Sequence, residues 1–107
     1  MTPWKVEFTA EAEKDRNSLD RSQRHQVDKA IYKVSQNPLP QSEGGYGRPL
    51  GNRQTNNLTG LLKIKLLRLG IRIVYKLSHT DEAMKIIVVA ARAGDEVYEI
   101  ASKRIDA

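Results

Sequence analysis

Five side chains in the second half of the sequence have the chemistry that metal-free RNA cleavage requires. They are the cations Lys63, Lys65, Arg72 and Arg92, and the phenol Tyr98. Such cleavage must remove a proton from a 2′-hydroxyl, stabilise the extra charge of a phosphorane-like transition state and protonate the departing 5′-oxygen. Clustered cations stabilise that charge, and a lysine whose pKa is depressed by neighbouring cations can also transfer protons. A tyrosine can stack on a base and hold the strand in line for attack.

Each of these residues also has a purely structural interpretation. Lys63 and Lys65 suit the solvated face of an antiparallel sheet, and Arg72 suits a cross-strand contact. Arg92 suits an ion pair with a carboxylate that follows it, and Tyr98 suits packing of a helix against the sheet. The functional interpretation depends on convergence of the five side chains on one face, beside a basic loop.

Positive charge is concentrated in the middle third of the chain. The 107 residues carry a net charge of +5. Residues 44–76 hold seven basic and no acidic side chains, whereas residues 1–43 are neutral and residues 77–107 carry −2. Because solvated faces usually mix the two signs, this excess favours a polyanionic partner such as nucleic acid. Four basic residues of this segment are not among the five candidate cleavage residues, and these are predicted to bind RNA: Arg48, Arg53, Arg68 and Lys76.

The composition excludes several kinds of site. The chain has no cysteine, which rules out disulfides, thiolate chemistry and zinc sites with cysteine ligands. No Asp, Glu and His residues have metal-ligand spacing, and His25 and His79 fall on a predicted helix and a predicted turn. We therefore expect neither a metal nor a cofactor. Without a signal-peptide pattern or an apolar run approaching ~20 residues, a single domain in the cytoplasm is expected for residues 1–107.

Hydrophobic patterns predict the elements of the N-terminal half. Alternation predicts a strand over residues 4–8. Thr9 is a suitable N-cap for a first helix, and Asp20 and Gln23 have the spacing of a capping box for a second, amphipathic helix. We expect the two helices to form a hairpin on one side of a sheet.

The C-terminal half is predicted to supply most of the sheet. Residues 38–60 lack periodicity and predict a long loop. Two alternating segments over residues 61–77 predict a hairpin, and the apolar run over residues 83–92 predicts a strand covered on both faces. A short last helix follows Gly94, with Asp95 as its N-cap. The expected fold is α+β, with an antiparallel-type sheet of about four strands.

The apolar faces of the predicted hairpin also predict its register. A three-residue turn would mix apolar and charged side chains on both faces. A two-residue turn at residues 69–70 keeps the faces separate and pairs Lys65 with Val74. Arg72 then lies diagonal to Lys65, within roughly 7–8 Å, and the hairpin gathers several cations on one face.

The ordered set of segments resembles the RelE/ParE superfamily of toxins from type II toxin–antitoxin pairs. The resemblance covers almost the whole chain, through the segments WKVEFTAEAEKD, RPLG, LTGLLKIKLLRLGIRIVYK and ARAGDEVY. It implies the fold described above, with a small sheet against two N-terminal helices. Members of the RelE-like branch cleave messenger RNA in the ribosomal decoding site, so the resemblance implies a ribosome-dependent, metal-independent endoribonuclease.

The resemblance also implies a role for each of the five residues. Lys63 or Lys65 would assist proton removal, and Arg72 would stabilise the phosphate. Arg92 would stabilise or protonate the leaving group, and Tyr98 would stack on the nucleotide. The implied products are a 2′,3′-cyclic phosphate and a 5′-hydroxyl. The segment ARAGD departs from the family pattern, because it lacks a further basic residue that RelE-like members often have there.

The implied partners are a cognate antitoxin protein, messenger RNA and the ribosome with its 16S rRNA, and no membrane. The complex with the antitoxin is expected to bind its own promoter DNA through the antitoxin. A ParE-like gyrase inhibitor without nuclease activity would share the fold, but a gyrase binder needs none of the five-residue geometry. A non-catalytic nucleic-acid-binding domain would explain the charge, but no helix-turn-helix pattern supports it.

Overall fold

The computed structural model describes residues 3–52, 57–91 and 94–106. Its elements are β1 (Lys5–Phe8), α1 (Ala10–Asn17), α2 (Arg21–Ser35), a short 3-10 helix (Gln41–Glu43), β2 (Arg48–Asn52), β3 (Asn57–Leu66), β4 (Ile71–Ser78), β5 (Ala83–Ala90) and α3 (Gly94–Asp106). The strands form one sheet in the order β1-β5-β4-β3-β2. β1 is parallel to β5, and the other neighbours are antiparallel. The α+β class is as expected, with five strands instead of about four.

The two N-terminal helices begin where their capping residues predict. The Thr9 hydroxyl accepts a hydrogen bond from the backbone N–H of Ala12, at 3.1 Å. Asp20 and Gln23 form the predicted reciprocal capping box. Both helices pack on one face of the sheet, as expected for a helical hairpin. The buried core on this face includes Ala12, Val27, Ile31, Val34, Leu62, Ile73, Tyr75, Met84 and Ile86.

α3 covers the opposite face of the sheet. Its buried side chains form a second core with the strands, which includes Val97, Tyr98, Ala101, Leu50, Leu61, Val74, Ile87 and Val88. The helix has 13 residues and is longer than predicted. Asp95, predicted as its N-cap, lies inside it because the helix begins at Gly94. None of the helices in the described part of the chain has the length and apolar character needed to cross a bilayer.

The predicted loop over residues 38–60 contains a strand that the sequence pattern conceals. β2 runs antiparallel to β3, with Arg48 opposite Lys63. The ladder is irregular between Pro49 and Gly51, where the register shifts. Because proline and glycine disfavour strands and a bulge interrupts alternation, this segment does not read as a strand.

The segment that leads into β2 folds over a buried tyrosine of the first core. The Tyr75 hydroxyl donates a 2.9 Å hydrogen bond to the carbonyl of Pro38. Gly47 lies so close that an added Cβ would sit 2.6 Å from the Tyr75 hydroxyl oxygen. Burial raises the pKa of Tyr75 above its ordinary value. This packing fixes the backbone on either side of Tyr46 and the start of β2.

The predicted register of the β3–β4 hairpin was wrong by two residues. The turn spans residues 67–70, and Lys65 lies directly opposite Arg72 instead of opposite Val74. Gly70 has the left-handed φ of +66° that the turn requires. A shift of two residues preserves the alternation of faces, so the predicted cations do share one face.

An ion pair completes the edge of the sheet where β1 ends. β1 pairs with β5 only as far as Ile86. Beyond that point, the N–H of Val89 donates to Asp15 at 3.1 Å, and the carbonyl of Ile87 accepts from Arg104 at 2.7 Å. Arg104 also donates to Asp15, at 2.7 Å. The two side chains thus replace the backbone groups of a neighbouring strand and link α1 to α3.

Candidate active site

Four cations form a patch on the face of the sheet that α3 also contacts. Arg48 of β2 lies opposite Lys63 of β3, and Lys65 of β3 lies opposite Arg72 of β4. Directly opposite residues have Cβ atoms about 4.5–5.5 Å apart, and residues two apart on a strand share a face. The structure therefore brings these four sequence-predicted residues together, and we call them the cationic patch.

The members of the cationic patch differ in their access to solvent. Arg48 and Lys65 are exposed, whereas Lys63 and Arg72 are half-buried. Neither Arg48 nor Lys65 makes an ion pair within the described residues. Their charges are therefore available to an anionic ligand from solvent.

Tyr98 reaches the cationic patch from α3. The Lys63 ammonium donates a hydrogen bond of 3.1 Å to the Tyr98 hydroxyl, and its nitrogen lies 5.5 Å from the ring centroid. Because the ammonium is much nearer to the hydroxyl than to the ring centre, the hydrogen bond is the main contact, not a cation–π interaction. The Tyr98 residue is only 4% exposed and belongs to the second core. Tyr98 thus offers its hydroxyl to the patch, and stacking on a base would require a change in its packing.

Of the remaining predicted site residues, the structure describes Arg68 and Lys76, and both lie outside the patch. Arg92 and Arg53 lie outside the described residues, so their roles stay predictions. Arg68 lies in the turn that follows β3 and is exposed. Lys76 shares the face of Arg72 but lies four residues further along β4, which corresponds to about 13 Å.

The arrangement suits the binding of a phosphodiester. Ammonium and guanidinium groups from three neighbouring strands converge, and Arg72 can contact phosphate oxygens with two N–H groups at once. Among residues 3–52, 57–91 and 94–106, no group of three or more His, Asp or Glu residues could hold a metal ion. The chemistry that these residues can provide is charge stabilisation together with proton transfer by lysine.

Comparisons with known proteins point to one group of toxins. No protein-family model matches the chain. A putative RelE-like toxin protein of Escherichia coli is 26% identical over 102 residues, which cover 95% of this chain and 97% of the relative. The isolated Escherichia coli RelE toxin matches with a TM-score of 0.68 and 26% identity, over 95% of this chain and 98% of that toxin. The chain is therefore similar to RelE-like toxins over nearly its whole length.

Further solved structures extend the similarity to RelE-like proteins. A double arginine-to-alanine variant of Escherichia coli RelE in the free state has a TM-score of 0.72 and 26% identity, over 97% of this chain and 99% of that toxin. The toxin–antitoxin complex RelBE2 from Mycobacterium tuberculosis contains a chain with a TM-score of 0.68 and 26% identity, over 87% of this chain and 95% of that chain. The RelE-like match therefore extends over nearly all of the present chain.

Two features beside the cationic patch were missed by the sequence analysis. Lys33 on α2 and Tyr46 before β2 line a groove next to Lys63 and Lys65. Lys33 was not considered because the α2 pattern was interpreted only through its apolar face. Tyr46 lies within residues 38–60, which were predicted to form a long loop without periodicity. An aromatic residue between two glycines, two positions before an arginine, is the signal that could have identified it.

Proposed function

We propose that this RelE-like chain is a ribosome-dependent endoribonuclease that cleaves messenger RNA in the ribosomal A site and so inhibits translation. The observation that carries the proposal is the cross-strand pairing of Lys65 with Arg72, next to Lys63 and its Tyr98 partner. These are four of the five residues that the resemblance assigns to cleavage. We further propose that the whole chain acts as one toxin domain in the cytoplasm.

The proposed reaction is attack of a 2′-hydroxyl on the adjacent phosphorus. Lys63 or Lys65 accepts the 2′-hydroxyl proton, and a bond forms between the 2′-oxygen and phosphorus. Arg72 binds the non-bridging oxygens as their charge grows. The bond from phosphorus to the 5′-oxygen then breaks, and Arg92 stabilises or protonates that oxygen. The products are a 2′,3′-cyclic phosphate and a 5′-hydroxyl.

The proposed dependence on the ribosome follows from the chemistry of the patch. Its members are lysines and arginines, and the patch contains no carboxylate or imidazole that could act as a general base beside them. Such a site gains much of its rate from accurate positioning of the 2′-hydroxyl in line with the scissile bond. We therefore expect free RNA to be a poor substrate, and RNA held in the ribosomal A site to be a good one.

We propose that a cognate antitoxin neutralises the toxin. Two related solved structures are toxin–antitoxin complexes, RelBE2 from Mycobacterium tuberculosis and RelBE from Escherichia coli. A further structure holds a variant of Escherichia coli RelE with an antitoxin peptide. The antitoxin of the present chain would supply acidic and apolar groups to the cationic patch, and would bind promoter DNA on behalf of the complex.

Primer extension on a reporter messenger RNA tests the proposed activity. Purified protein is added to a translating extract, with Lys65→Ala and Arg72→Ala in parallel and Lys5→Ala as a control. Lys5 is an exposed lysine on β1, at the opposite edge of the sheet from β2. We expect ribosome-dependent cuts within codons for the wild type and for Lys5→Ala, and none for the patch variants.

The same assay can overturn the proposal. Cuts of wild-type intensity by folded Lys65→Ala and Arg72→Ala proteins would show that the patch is not the active site. Intact RNA combined with growth arrest in cells would favour the gyrase inhibitor, for which DNA supercoiling is the direct measurement. Circular dichroism of each variant shows whether a loss of activity reflects loss of the fold.

A further inference from the structure

A groove continues the cationic patch around the edge of β3. It has a volume of about 560 Å³ and lies between β3, α2 and the segment that leads into β2. Lys63 and Lys65 belong both to the patch and to the lining of the groove. A ligand bound at the patch can therefore extend into the groove without leaving the protein surface.

The lining of the groove is strongly cationic. Lys33 from α2 and Arg48 from β2 join Lys63 and Lys65, and none of the described lining residues is acidic. Lys33 and Arg48 are exposed and make no ion pair within the described residues. This charge is complementary to a polyanion such as a nucleic-acid backbone.

Tyr46 places an aromatic ring at the same groove. The residue is 50% exposed, and the Lys33 ammonium lies 5.6 Å from the ring centroid. The backbone that carries it is tightly packed: the N–H of Tyr46 donates to the carbonyl of Asn37 at 3.0 Å. A Cβ added at the preceding residue, Gly45, would sit 2.0 Å from the Leu39 carbonyl oxygen. A ring on a fixed backbone beside cations has the properties of a stacking platform for a nucleic-acid base.

We propose that the groove binds a nucleotide of single-stranded RNA that flanks the scissile phosphate. Tyr46 stacks on the base, and Lys33 and Arg48 bind the adjoining phosphates. This inference rests on the proposed nuclease function, because it places the substrate strand across both the patch and the groove. It assigns a binding role to Tyr46 and Lys33 and gives Arg48 a specific subsite.

A peptide strand is the other ligand that this edge could accept. β2 begins opposite Lys63, so the outer edge of β3 beyond Lys63 has no strand neighbour in the described part of the chain. An extended peptide could add to such an edge. The concentration of cations without carboxylates and the half-exposed ring beside Lys33 favour RNA, and the experiment below separates the two ligands.

The test measures binding of a fluorescently labelled, single-stranded 2′-O-methyl RNA by anisotropy. This oligonucleotide cannot be cleaved because its 2′-oxygen is blocked. The variants are Tyr46→Ala and Tyr46→Phe, and the control is Tyr32→Ala, which alters a tyrosine that is 69% exposed on α2 and does not line the groove. We expect Tyr46→Ala to weaken binding about tenfold or more, whereas Tyr46→Phe and Tyr32→Ala bind like the wild type. Lys33→Gln should weaken binding and reduce its dependence on salt.

Several results would overturn the inference. Equal affinity of folded Tyr46→Ala and wild-type protein for the oligonucleotide would exclude stacking, and so would an absence of binding by the wild type. Tyr46-dependent binding of an acidic peptide with alternating Glu and Val, without binding of RNA, would assign the groove to a protein partner.

Primer extension separates this inference from the proposed function. In one outcome, ribosome-dependent cleavage needs Lys65 but Tyr46→Ala binds RNA as the wild type does. That outcome would leave the nuclease proposal intact and would overturn the proposal that the groove binds RNA. Tyr46-dependent RNA binding without any ribosome-dependent cleavage would support RNA binding by the groove and contradict the proposed nuclease activity.

Discussion

The Lys63 ammonium donates a hydrogen bond to the Tyr98 hydroxyl, and this contact joins the cationic patch to α3. Lys63 is half-buried, and Tyr98 is among the buried residues of the second core. The hydroxyl therefore holds a lysine of the candidate active site, while the ring of the same residue contributes to the packing of α3. Substitutions at this position can separate the two contributions.

Tyr98→Phe should clearly lower the rate of cleavage but should have only a small effect on the free energy of unfolding. The phenyl ring keeps the core contacts, and the loss of one hydrogen bond lowers the free energy of unfolding by about 1 kcal/mol. Tyr98→Ala also removes the ring and should cost about 3–5 kcal/mol. Urea unfolding gives the stability of each variant, and single-turnover cleavage on programmed ribosomes gives the activity. Wild-type cleavage by Tyr98→Phe would show that the hydroxyl does not position Lys63 for the reaction.

The Asp15–Arg104 pair should contribute more stability than the Arg16–Asp28 pair. The first pair is largely covered, with side chains 18% and 21% exposed, and also binds backbone groups of β5. The second pair, at 2.6 Å, has side chains that are 30% and 45% exposed. We expect Arg104→Ala to cost about 2–3 kcal/mol of the free energy of unfolding, and Arg16→Ala less than about 1 kcal/mol.

Two measurements test this difference. Urea unfolding compares the variants, and amide hydrogen exchange at Val89 reports the sheet edge directly, because Asp15 accepts the hydrogen bond of that amide. Exchange at Val89 should accelerate in Arg104→Ala and stay unchanged in Arg16→Ala. If the two variants lose equal stability, then Arg104 contributes no more than an exposed ion pair does, and its hydrogen bond to the backbone does not add to stability.

Local chemistry explains which parts of the fold were predictable from the sequence. Thr9, Asp20 and Gln23 act within three residues of themselves, so their caps could be identified without knowledge of the fold. β2 was missed because Pro49, Gly51 and the bulge between them remove the alternation that indicates a strand. Its pairing with β3 is a tertiary effect that overrides local preference.

The candidate site was predictable in its face but not in its register. Alternation places Lys63, Lys65 and Arg72 on one face for a two-residue and for a four-residue turn, so the hydrophobic pattern cannot distinguish these turns. Contacts between segments that are distant in the chain leave no periodic pattern in the sequence. The Asp15–Arg104 bond joins residues 89 positions apart, and the approach of Tyr46 to Lys33 depends on the packing of the segment before β2.

Tyr75 should make the stability of the protein sensitive to alkaline pH. Burial raises the pKa of Tyr75 above its ordinary value near 10, so the folded state holds the phenolic proton more tightly than the unfolded state does. The stability linked to this proton is fully present below about pH 10 and is lost as pH rises toward the higher pKa of the folded state. Tyr75→Phe has no proton to lose at this position and should show a weaker decline.

Thermal unfolding between about pH 8 and pH 11 provides the measurement for Tyr75. At neutral pH, Tyr75→Phe should be about 1 kcal/mol less stable than the wild type, because it lacks the hydrogen bond to the Pro38 carbonyl. Above about pH 10, the melting temperature of the wild type should fall more steeply and approach that of the variant. Parallel curves over the whole range would contradict a buried, protonated Tyr75.

Lys65→Glu should stabilise the fold and abolish cleavage. Lys65 lies directly opposite Arg72, and like charges in this position are unfavourable, whereas opposite charges contribute roughly 0.2–1 kcal/mol. The glutamate would pair with Arg72 and would repel the phosphate of the substrate. Lys65→Gln is the matched control, because it removes the repulsion without creating an ion pair.

Urea unfolding should rank Lys65→Glu as the most stable of the three proteins, and primer extension should show no cuts for it. A Lys65→Glu protein less stable than Lys65→Gln would contradict the observed register, and retained cleavage would exclude Lys65 from the active site.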